Sequence, residues 1–165
     1  MSAYETFDTP LGPFTVVVTD AGAVEAAAFG DMDAMRHLIQ PGDMALDPPL
    51  TAEARRQVEQ YFGGLRTRFD LPLAAPATGF QRSYRDEMAS LAYGTTTTYG
   101  ELARRLGSSA RAAGRANATN PLCIIVPCHR VIGADGSLTG YAYGLDIKRR
   151  LLEHEGVTVQ QPLPV

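Results

Sequence analysis

The spacing of apolar residues changes partway along the chain, and this change constrains the fold more than any other feature. Up to about residue 75, short runs such as TVVV and VEAAAF stand between Pro and Gly residues, as hairpin strands do. From Gly79 onwards, apolar residues recur every three or four positions, which indicates amphipathic helices. We therefore expect an α/β domain over residues 1–75 and a mainly helical domain over residues 76–165.

The charge divides at the same place. Residues 1–75 carry 5 Lys or Arg against 11 Asp or Glu, a net charge of −6, whereas residues 76–165 carry 10 against 7, a net charge of +3. A positive surface favours an acidic partner such as nucleic acid, and an arginine face that is merely solvated explains the charge equally well. The chain contains no apolar stretch as long as a membrane span and no export signal, so we expect a cytoplasmic protein without a membrane partner.

The first domain shows elements but no chemical motif. We expect a helix from Met32 to Ile39 and a second helix that Thr51 caps and that ends near Phe62. No cluster of reactive side chains accompanies these elements. The pattern favours a supporting role for residues 1–75.

The second domain begins with three predicted helices. The first is amphipathic and ends at Gly94; the next has Thr98 or a neighbour as its cap and Gly107 as its stop. The segment SSARAAGRANATN predicts a third helix after a very short turn. Two short helices joined in this way outline a helix-turn-helix, although any small helical bundle contains such corners.

The third of these helices is rich in alanine and carries Arg111 and Arg115 on one face. Small side chains such as Ala112 and Gly114 permit close approach to a narrow surface. A DNA minor groove is such a surface, and its negative potential attracts arginine. The alternative is an alanine helix that packs tightly on a neighbouring helix.

The run CIIVPC predicts a buried strand that leads to a reactive cysteine. Alternation along a strand directs Cys123 and Cys128 to opposite faces, which disfavours a shared metal or disulfide. We therefore expect no metal and no cofactor. Cys123 is suited to the core, whereas Cys128 precedes His129 and Arg130, and a nearby base or positive charge can convert a thiol to the nucleophilic thiolate.

A carboxylate can complete this arrangement. Ile147, Leu151 and Glu155 fall at four-residue spacing, so a continuous helix places Glu155 on its apolar stripe. A buried carboxylate needs a partner, and His129 would supply one, in the order nucleophile, base and orienting group. Glu155 in a frayed and solvated last turn is the alternative. Asn120, before Pro121, either holds the turn or donates to the thiol region.

Taken together, TTTYGELA, RAAGRANATNP, IIVPCHRVIGADGSLTGYAYGL and KRRLLEHEG closely resemble the O6-alkylguanine-DNA alkyltransferase family. The resemblance covers nearly all of residues 80–156 in order. It implies a ribonuclease-H-like α/β fold for residues 1–75 and a winged-helix-like helix-turn-helix domain after it. The implied partner is double-stranded DNA that contains O6-alkylguanine, bound through the minor groove by a monomer.

The resemblance also implies catalytic roles. Cys128 accepts the alkyl group, His129 takes the thiol proton through a water molecule, and Glu155 orients His129. Asn120 holds the active-site loop, and Tyr99 donates a proton to the leaving guanine. The reaction consumes the protein, because the thioether product is inert.

Further residues of the family pattern contact the DNA and the everted base. Arg111 fills the gap that the base leaves, on the helix that carries Ala112, Gly114 and Arg115. The backbone at Cys128 and Val131 recognises guanine, and Tyr141 and Ala142 line the pocket. Tyr143 stands where relatives usually have glycine, so we expect a narrower alkyl pocket in this protein.

Two other functions fit parts of the sequence. A cysteine hydrolase could use Cys128, His129 and Glu155 as an acyl-transfer triad, and would then turn over on esters or amides. A lesion-binding module would bind alkylated DNA without any transfer. The retention of Cys128 disfavours this second alternative.

Overall fold

The structure is a computed structural model, and it describes residues 2–35 and 44–159. These residues belong to two compact units. The first is formed by Met1–Ala75 and Pro121–Ile125, and the second by Pro76–Asn120 and Val126–Val165. The sequence groups residues 121–125 with the second domain, whereas their contacts lie within the first unit.

The helices and strands follow in chain order. They are β1 (Ser2–Thr9), β2 (Gly12–Val18), β3 (Val24–Phe29), α1 (Met32–Met35), β4 (Met44–Leu46), α2 (Pro48–Phe62), α3 (Gly79–Ala89), β5 (Thr97–Thr98), α4 (Tyr99–Leu106), α5 (Ala110–Ala118), a 3-10 turn (Cys128–Arg130), β6 (Val131–Ile132) and α6 (Leu145–His154).

The first unit is a four-stranded sheet with the order β3-β2-β1-β4, and α2 packs on β1 and β2. Neighbouring strands are antiparallel except for β4, which is parallel to β1. The rings of Phe7, Phe14 and Phe29 lie in its core, with Phe14 and Phe29 in an edge-to-face arrangement at 5.0 Å. Leu122 forms an isolated parallel bridge with Ala27 at the β3 edge.

The two helices of this unit differ from the sequence prediction. Helix α2 begins at Pro48, three residues before the predicted cap Thr51, because proline at the first helical position needs no hydrogen-bond acceptor for its nitrogen. Thr51 is therefore not the cap; its hydroxyl is buried inside the helix and donates to Glu5 Oε1 over 2.8 Å. Of the predicted helix Met32–Ile39, Met32–Met35 is helical, and the rest lies outside the described residues.

Local capping signals define α4 and α5, which form a helix-turn-helix. The hydroxyl of Thr98 accepts from the backbone N–H of Glu101, and Gly107 adopts the left-handed conformation that ends α4. After a short turn, the hydroxyl of Ser109 accepts from the N–H of Ala112 and begins α5. Parallel pairing of β5 with β6 joins the start of α4 to the residues that follow the 3-10 turn.

Helix α3 ends earlier than the sequence indicates. Thr78 caps its first turn, and the helix stops at Ala89 instead of continuing to Gly94. The Ser90 hydroxyl donates to the carbonyl of Glu87 over 2.6 Å, so it competes with further helical hydrogen bonding. Gly94 lies beyond the helix in a turn with φ +80°.

The predicted strand over CIIVPC is wrong. The backbone reverses at Ile124, which has φ +72°, and the N–H of Ile125 donates to the carbonyl of Cys123. A β-branched residue in this conformation is strained by roughly 1–3 kcal/mol, so packing must hold it there. Cys123 and Ile124 are buried, which the apolar composition indicated, but only Cys123 still pairs with a strand, through its N–H to the carbonyl of Ala27, and the turn begins at Ile124. Cys128 itself lies in the 3-10 turn.

Helix α6 ends where the sequence indicates. Glu155 follows its last residue, and Gly156 has φ +84°. Leu151 and Glu155 are buried on one face, with Ile147 partly exposed one turn earlier. Within residues 2–35 and 44–159, no helix is both long enough and apolar enough to cross a membrane.

Candidate active site

The cysteine and the histidine lie together in one tight turn. Pro127 precedes the 3-10 turn Cys128–Arg130, and the N–H of Arg130 donates to the carbonyl of Pro127 over 2.9 Å. The side chains of the three turn residues are all buried. The backbone therefore turns at Cys128 and His129, as it must if two adjacent side chains are to act together.

Glu155 is the centre of the hydrogen bonds around this turn. Its Oε2 accepts from His129 Nε2 over 2.6 Å and from Arg130 Nη2 over 3.1 Å. Its Oε1 accepts from Arg130 Nε over 2.8 Å and from the Gly94 N–H over 3.2 Å. Four donors on a fully buried carboxylate offset the cost of removing the charge from water and keep Glu155 ionised.

These contacts determine the tautomer of His129. An ionised carboxylate only accepts, so Nε2 carries the proton and Nδ1 keeps a lone pair. Nδ1 is buried and has no hydrogen-bond partner in the part of the chain that the structure describes. Burial lowers the pKa of His129, Glu155 opposes this change, and Arg130 adds to it. The ring is therefore neutral and able to accept a proton at Nδ1.

Arg130 anchors the carboxylate to the rest of the second unit. Its Nη1 donates to the carbonyl of Leu91 over 2.8 Å, and its guanidinium lies 5.8 Å from the ring centroid of Tyr93. The fork geometry of arginine matches the two carboxylate oxygens of Glu155. The sequence indicated a cationic setting for the thiol but not this pairing.

Two amides fix the backbone on either side of Cys128. Asn120 Nδ2 donates to the carbonyl of Val126 over 3.0 Å, so Asn120 holds the turn that leads to the cysteine. Asn117 Nδ2 donates to the carbonyl of Cys128 over 3.2 Å and its Oδ1 accepts from the Tyr84 hydroxyl over 2.5 Å. The sequence analysis missed Asn117, although its spacing of four from Ala113 places it on the buried face of α5.

A loop that ends at the start of α6 forms another side of the site. The hydroxyl of Tyr141 lies 3.9 Å from Cys128 Sγ, and the Tyr141 and Tyr143 rings meet edge to face at 5.5 Å. Ala142, between them, is exposed, whereas the Val131 side chain is buried. Tyr99, the first residue of α4, donates from its hydroxyl to the carbonyl of Thr139 over 3.3 Å.

A second residue that the sequence analysis missed is Lys148 on α6. It is fully buried, and its Nζ donates to the carbonyls of Thr139 and Gly140 over 3.0 and 3.5 Å. The composition of the sequence could have drawn attention to it, because Lys148 is the only lysine among the 15 Lys and Arg residues of the chain.

Helix α5 presents positive charge on an exposed face. Arg111 and Arg115 are exposed, and no carboxylate of a described residue lies within ion-pair distance of either. In contrast, Arg104 and Arg105 on α4 both pair with Glu101, which lowers the pKa of that carboxyl to about 2. Ala112 and Gly114 are partly exposed, and a Cβ atom added at Gly114 would lie 3.9 Å from the Tyr99 ring.

The donor set does not resemble a metal centre. Among residues 2–35 and 44–159, no three His, Cys, Asp or Glu side chains are grouped so that they could hold a metal ion. Instead, the thiol of Cys128 is followed by the neutral imidazole of His129, which the buried carboxylate of Glu155 holds by a hydrogen bond. This arrangement suits transfer of a group to sulfur.

Both domains of this chain are similar to domains of known proteins. The family model for the ribonuclease-like domain of 6-O-methylguanine DNA methyltransferase matches residues 3–75, and the model for the DNA binding domain matches residues 79–157. A methylated-DNA–protein-cysteine methyltransferase of Methanosarcina acetivorans is 44% identical over 156 residues, which cover 93% of this chain and 97% of the relative.

Solved structures agree with these matches. The structure of Mycobacterium tuberculosis OGT in complex with DNA aligns with a TM-score of 0.81 at 39% identity, covering 93% of this chain and 92% of the other. The O6-methylguanine-DNA methyltransferase of Pyrococcus kodakaraensis aligns with a TM-score of 0.69 at 28% identity, covering 95% of this chain and 100% of the other. The chain therefore belongs to the 6-O-methylguanine DNA methyltransferase family.

Proposed function

We propose that this protein repairs DNA by moving the alkyl group from O6 of guanine to Sγ of Cys128, once per molecule. The observation that carries this function is the neutral His129, held by Glu155 with its Nδ1 lone pair available next to a cysteine. It is a methylated-DNA–protein-cysteine S-methyltransferase, and its product is an S-alkylcysteine.

The reaction balances without a cofactor. His129 takes the thiol proton through a bridging water, and the thiolate attacks the alkyl carbon. A sulfur–carbon bond forms, the carbon–O6 bond breaks, and its electron pair stays on the guanine. The guanine takes up a proton, which Tyr99 donates, so that its leaving ability improves. Because a thioether does not release the alkyl group, the protein acts as a reagent.

Other residues would position the base. Asn120 would hold the loop before Cys128, through its hydrogen bond to Val126. The backbone carbonyls of Cys128 and Val131 would accept from the guanine amino group, and Tyr141 and Ala142 would line the pocket. The support for this arrangement is that Tyr141 lies beside Sγ and that Asn117 orients the Cys128 carbonyl.

The substrate atom lies inside a duplex, so the nucleotide must turn out of the stack, at a cost of a few kcal/mol. We propose that α5 enters the minor groove and that Arg111 fills the vacated position. The exposed arginines without carboxylate partners and the small residues between them support this geometry. Arg115 would contact a phosphate. O4-alkylthymine presents a similar alkyl oxygen and is a candidate second substrate.

One chain supplies every group in this scheme, so we propose that it acts as a monomer. We also propose that it works in the cytoplasm, because the chemistry needs a reduced thiol and neither of the two cysteines forms a disulfide.

Mass spectrometry tests the proposal directly. After incubation with a duplex that contains O6-methylguanine, the protein should gain the mass of one methylene, localised to Cys128. The Cys123→Ser variant should gain the same mass, and Cys128→Ser should gain none. Methylation at another residue, or an unmodified protein after the lesion has disappeared, would overturn the proposal. Steady release of product from ester or amide substrates would instead indicate a cysteine hydrolase.

A further inference from the structure

Two buried side chains form a chain of hydrogen bonds that ends at the backbone of the reactive cysteine. Tyr84 lies in α3 without solvent exposure, and its hydroxyl donates to Asn117 Oδ1 over 2.5 Å. Asn117 lies near the end of α5, and its Nδ2 donates to the carbonyl of Cys128 over 3.2 Å. The proposed reaction assigns no task to Tyr84, although one amide connects it to the peptide group between Cys128 and His129.

The chemistry of these groups allows only one direction for the two hydrogen bonds. A backbone carbonyl only accepts, so Nδ2 of Asn117 must face Cys128 and Oδ1 must face Tyr84. The Tyr84 hydroxyl must then donate. If the amide turned over, its oxygen would face the carbonyl oxygen of Cys128, and two buried acceptors would meet without a proton between them. The Tyr84 hydroxyl therefore stabilises the amide orientation that binds Cys128.

The polar groups of both side chains stand in apolar surroundings. At Tyr84 a phenylalanine would supply the same ring, and a buried hydroxyl is costly unless it has a hydrogen-bond partner. The other buried residues of α5 are Ala113 and Ala116, so Asn117 is the only buried polar side chain of this helix, which the structure describes in full. The Cys128 carbonyl is the group that gives both polar side chains a use.

The Cys128 carbonyl belongs to the peptide group that joins the proposed nucleophile to the proposed base. Rotation of this planar group changes ψ of Cys128 and φ of His129, and with them the separation of the thiol and the imidazole. The N–H of Val131 donates to the same carbonyl, but that bond lies within the 3-10 turn and moves with it. Hydrogen bonds of 3-10 turns also have poorer geometry than those of an α-helix. Asn117 ties this peptide group to a helix outside the turn.

We propose that Tyr84 is a positioning residue for alkyl transfer, because it fixes the amide of Asn117, which in turn fixes the peptide group between Cys128 and His129. The inference rests on the proposed function, in which a water molecule carries the thiol proton to His129. Such a relay needs a set distance between the two side chains, and a small misplacement of reacting groups lowers a rate steeply. Tyr84 is fully buried, so it acts through the peptide group and not by contact with the DNA.

This role separates the chemical step from DNA binding. Arg111 and Arg115 are exposed on α5, whereas Asn117 is buried. Loss of the Tyr84 hydroxyl should leave the exposed face of α5 unchanged and lower the fraction of molecules in which the thiol, the water and His129 are aligned. The limiting rate of methyl transfer should therefore fall, and the protein concentration that gives half of this rate should stay the same.

Single-turnover methyl transfer, measured at increasing protein concentration over a duplex with O6-methylguanine, gives both quantities. In Tyr84→Phe the limiting rate should fall about five-fold or more, as expected for the loss of one hydrogen bond, and the half-saturating concentration should change by less than about two-fold. Asn117→Ala should lower the limiting rate at least as much, and Tyr84→Phe added to it should have no further effect. Tyr61→Phe, at a buried tyrosine of the first unit, is the matched control and should react as wild type. A wild-type limiting rate in Tyr84→Phe, or a change in the half-saturating concentration alone, would overturn the proposal.

An NMR signal reports on the carbonyl itself and needs no DNA. The chain contains one Cys-His sequence, so protein with carbon-13 in the cysteine carbonyl and nitrogen-15 in histidine gives one carbonyl–amide correlation, from Cys128 and His129. The carbonyl resonance moves upfield when a hydrogen bond to its oxygen is lost. It should move upfield in Tyr84→Phe and in Asn117→Ala, and it should stay in place in Tyr61→Phe. An unmoved signal in Tyr84→Phe would show that the hydroxyl does not hold the amide, and would contradict the proposal.

Other measurements decide if a variant does not fold. Asn117→Ala replaces Tyr84→Phe in both experiments, with the same two outcomes. If neither variant folds, the wild-type protein is used: the hydroxyl proton of Tyr84 should exchange slowly with water and give a cross peak to the Asn117 side chain. Absence of that cross peak would overturn the proposal.

These results distinguish the inference from the proposed function. If wild-type protein does not methylate Cys128 from DNA, the function fails, and the carbonyl signal still shows whether Tyr84 holds the peptide group. If wild type and Tyr84→Phe transfer the methyl group at equal limiting rates, the inference alone fails and the repair reaction stands.

Discussion

His129 donates from Nε2 to Glu155 Oε2 over 2.6 Å, and neither side chain is exposed to solvent. The same carboxylate accepts two hydrogen bonds from Arg130 and one from Gly94. These bonds keep Glu155 ionised and direct the Nδ1 lone pair of His129 away from it. The orientation and the tautomer of the proposed base are therefore both consequences of this one pair.

Glu155→Gln should slow methyl transfer strongly. The neutral amide of glutamine cannot form an ion pair with Arg130, and it need not hold the same tautomer of His129. General-base catalysis contributes about 10²- to 10⁴-fold to a rate, and much of this contribution should therefore disappear. The variant should also be less stable by a few kcal/mol, because it leaves Arg130 buried without its partner. Single-turnover rates and denaturant unfolding measure the two effects. Glu153→Gln, at an exposed position in the last turn of α6, is the matched control. Rates within two-fold of wild type for Glu155→Gln would contradict the assignment.

Acidification should destabilise the protein through His129. Burial depresses the folded-state pKa of His129, so below about 6.5 the unfolded chain binds a proton that the folded protein does not. The free energy of unfolding should therefore fall as the pH decreases from about 6.5 towards the folded-state pKa. Urea unfolding at several pH values measures this loss. The loss of unfolding free energy on acidification should be smaller in His129→Gln than in wild type and unchanged in His154→Gln. A loss in His129→Gln equal to that of wild type would show that other groups cause it.

Tyr143 should restrict the size of the alkyl group. Its ring packs on Tyr141, whose hydroxyl lies beside Cys128 Sγ. We expect rapid reaction with O6-methylguanine in DNA and slow reaction with O6-benzylguanine. Tyr143→Gly should speed the benzyl reaction about ten-fold or more and leave the methyl reaction nearly unchanged, since a cleared volume helps only the larger group. Tyr143→Phe, which keeps the ring, should behave as wild type. Comparable benzyl rates in wild type and Tyr143→Gly would refute this expectation.

Arg111 should contribute more to DNA binding than Arg104. Arg111 has no carboxylate partner among the described residues, whereas Arg104 pairs with Glu101. Arg111→Ala should weaken binding to a lesion-containing duplex about ten-fold and slow base eversion, and Arg104→Ala should change binding by less than about three-fold. Fluorescence anisotropy at fixed salt measures binding, and a base analogue at the lesion site reports eversion. Equal effects from both substitutions would point to general electrostatic attraction instead.

Sequence reasoning located the elements whose signals are local. The Thr98 cap and the Gly107 stop of α4 are correct, because a cap depends on a hydroxyl and on backbone groups within one turn. The placement of Glu155 on a buried helix face follows from helical spacing alone. Residue types and their order also sufficed to identify the family.

The errors and omissions depend on contacts between distant residues. Residues 123–128 can form a strand only if another strand pairs with them, and their composition does not specify such a partner. Packing instead imposes a turn at Ile124. Asn117 matters because Tyr84, 33 residues earlier, orients its amide. Lys148 is buried by a loop that lies eight and nine residues before it. The periodicity of the sequence does not predict these contacts between distant residues.

The most direct test of the repair function is the number of methyl groups that one chain accepts from a large excess of O6-methylguanine duplex. We predict that the reaction stops at one methyl per chain, that an equal amount of guanine is restored, and that Cys128 carries the whole modification. Continued repair beyond one lesion per chain, or restoration of guanine while Cys128 remains an unmodified thiol, would contradict the account.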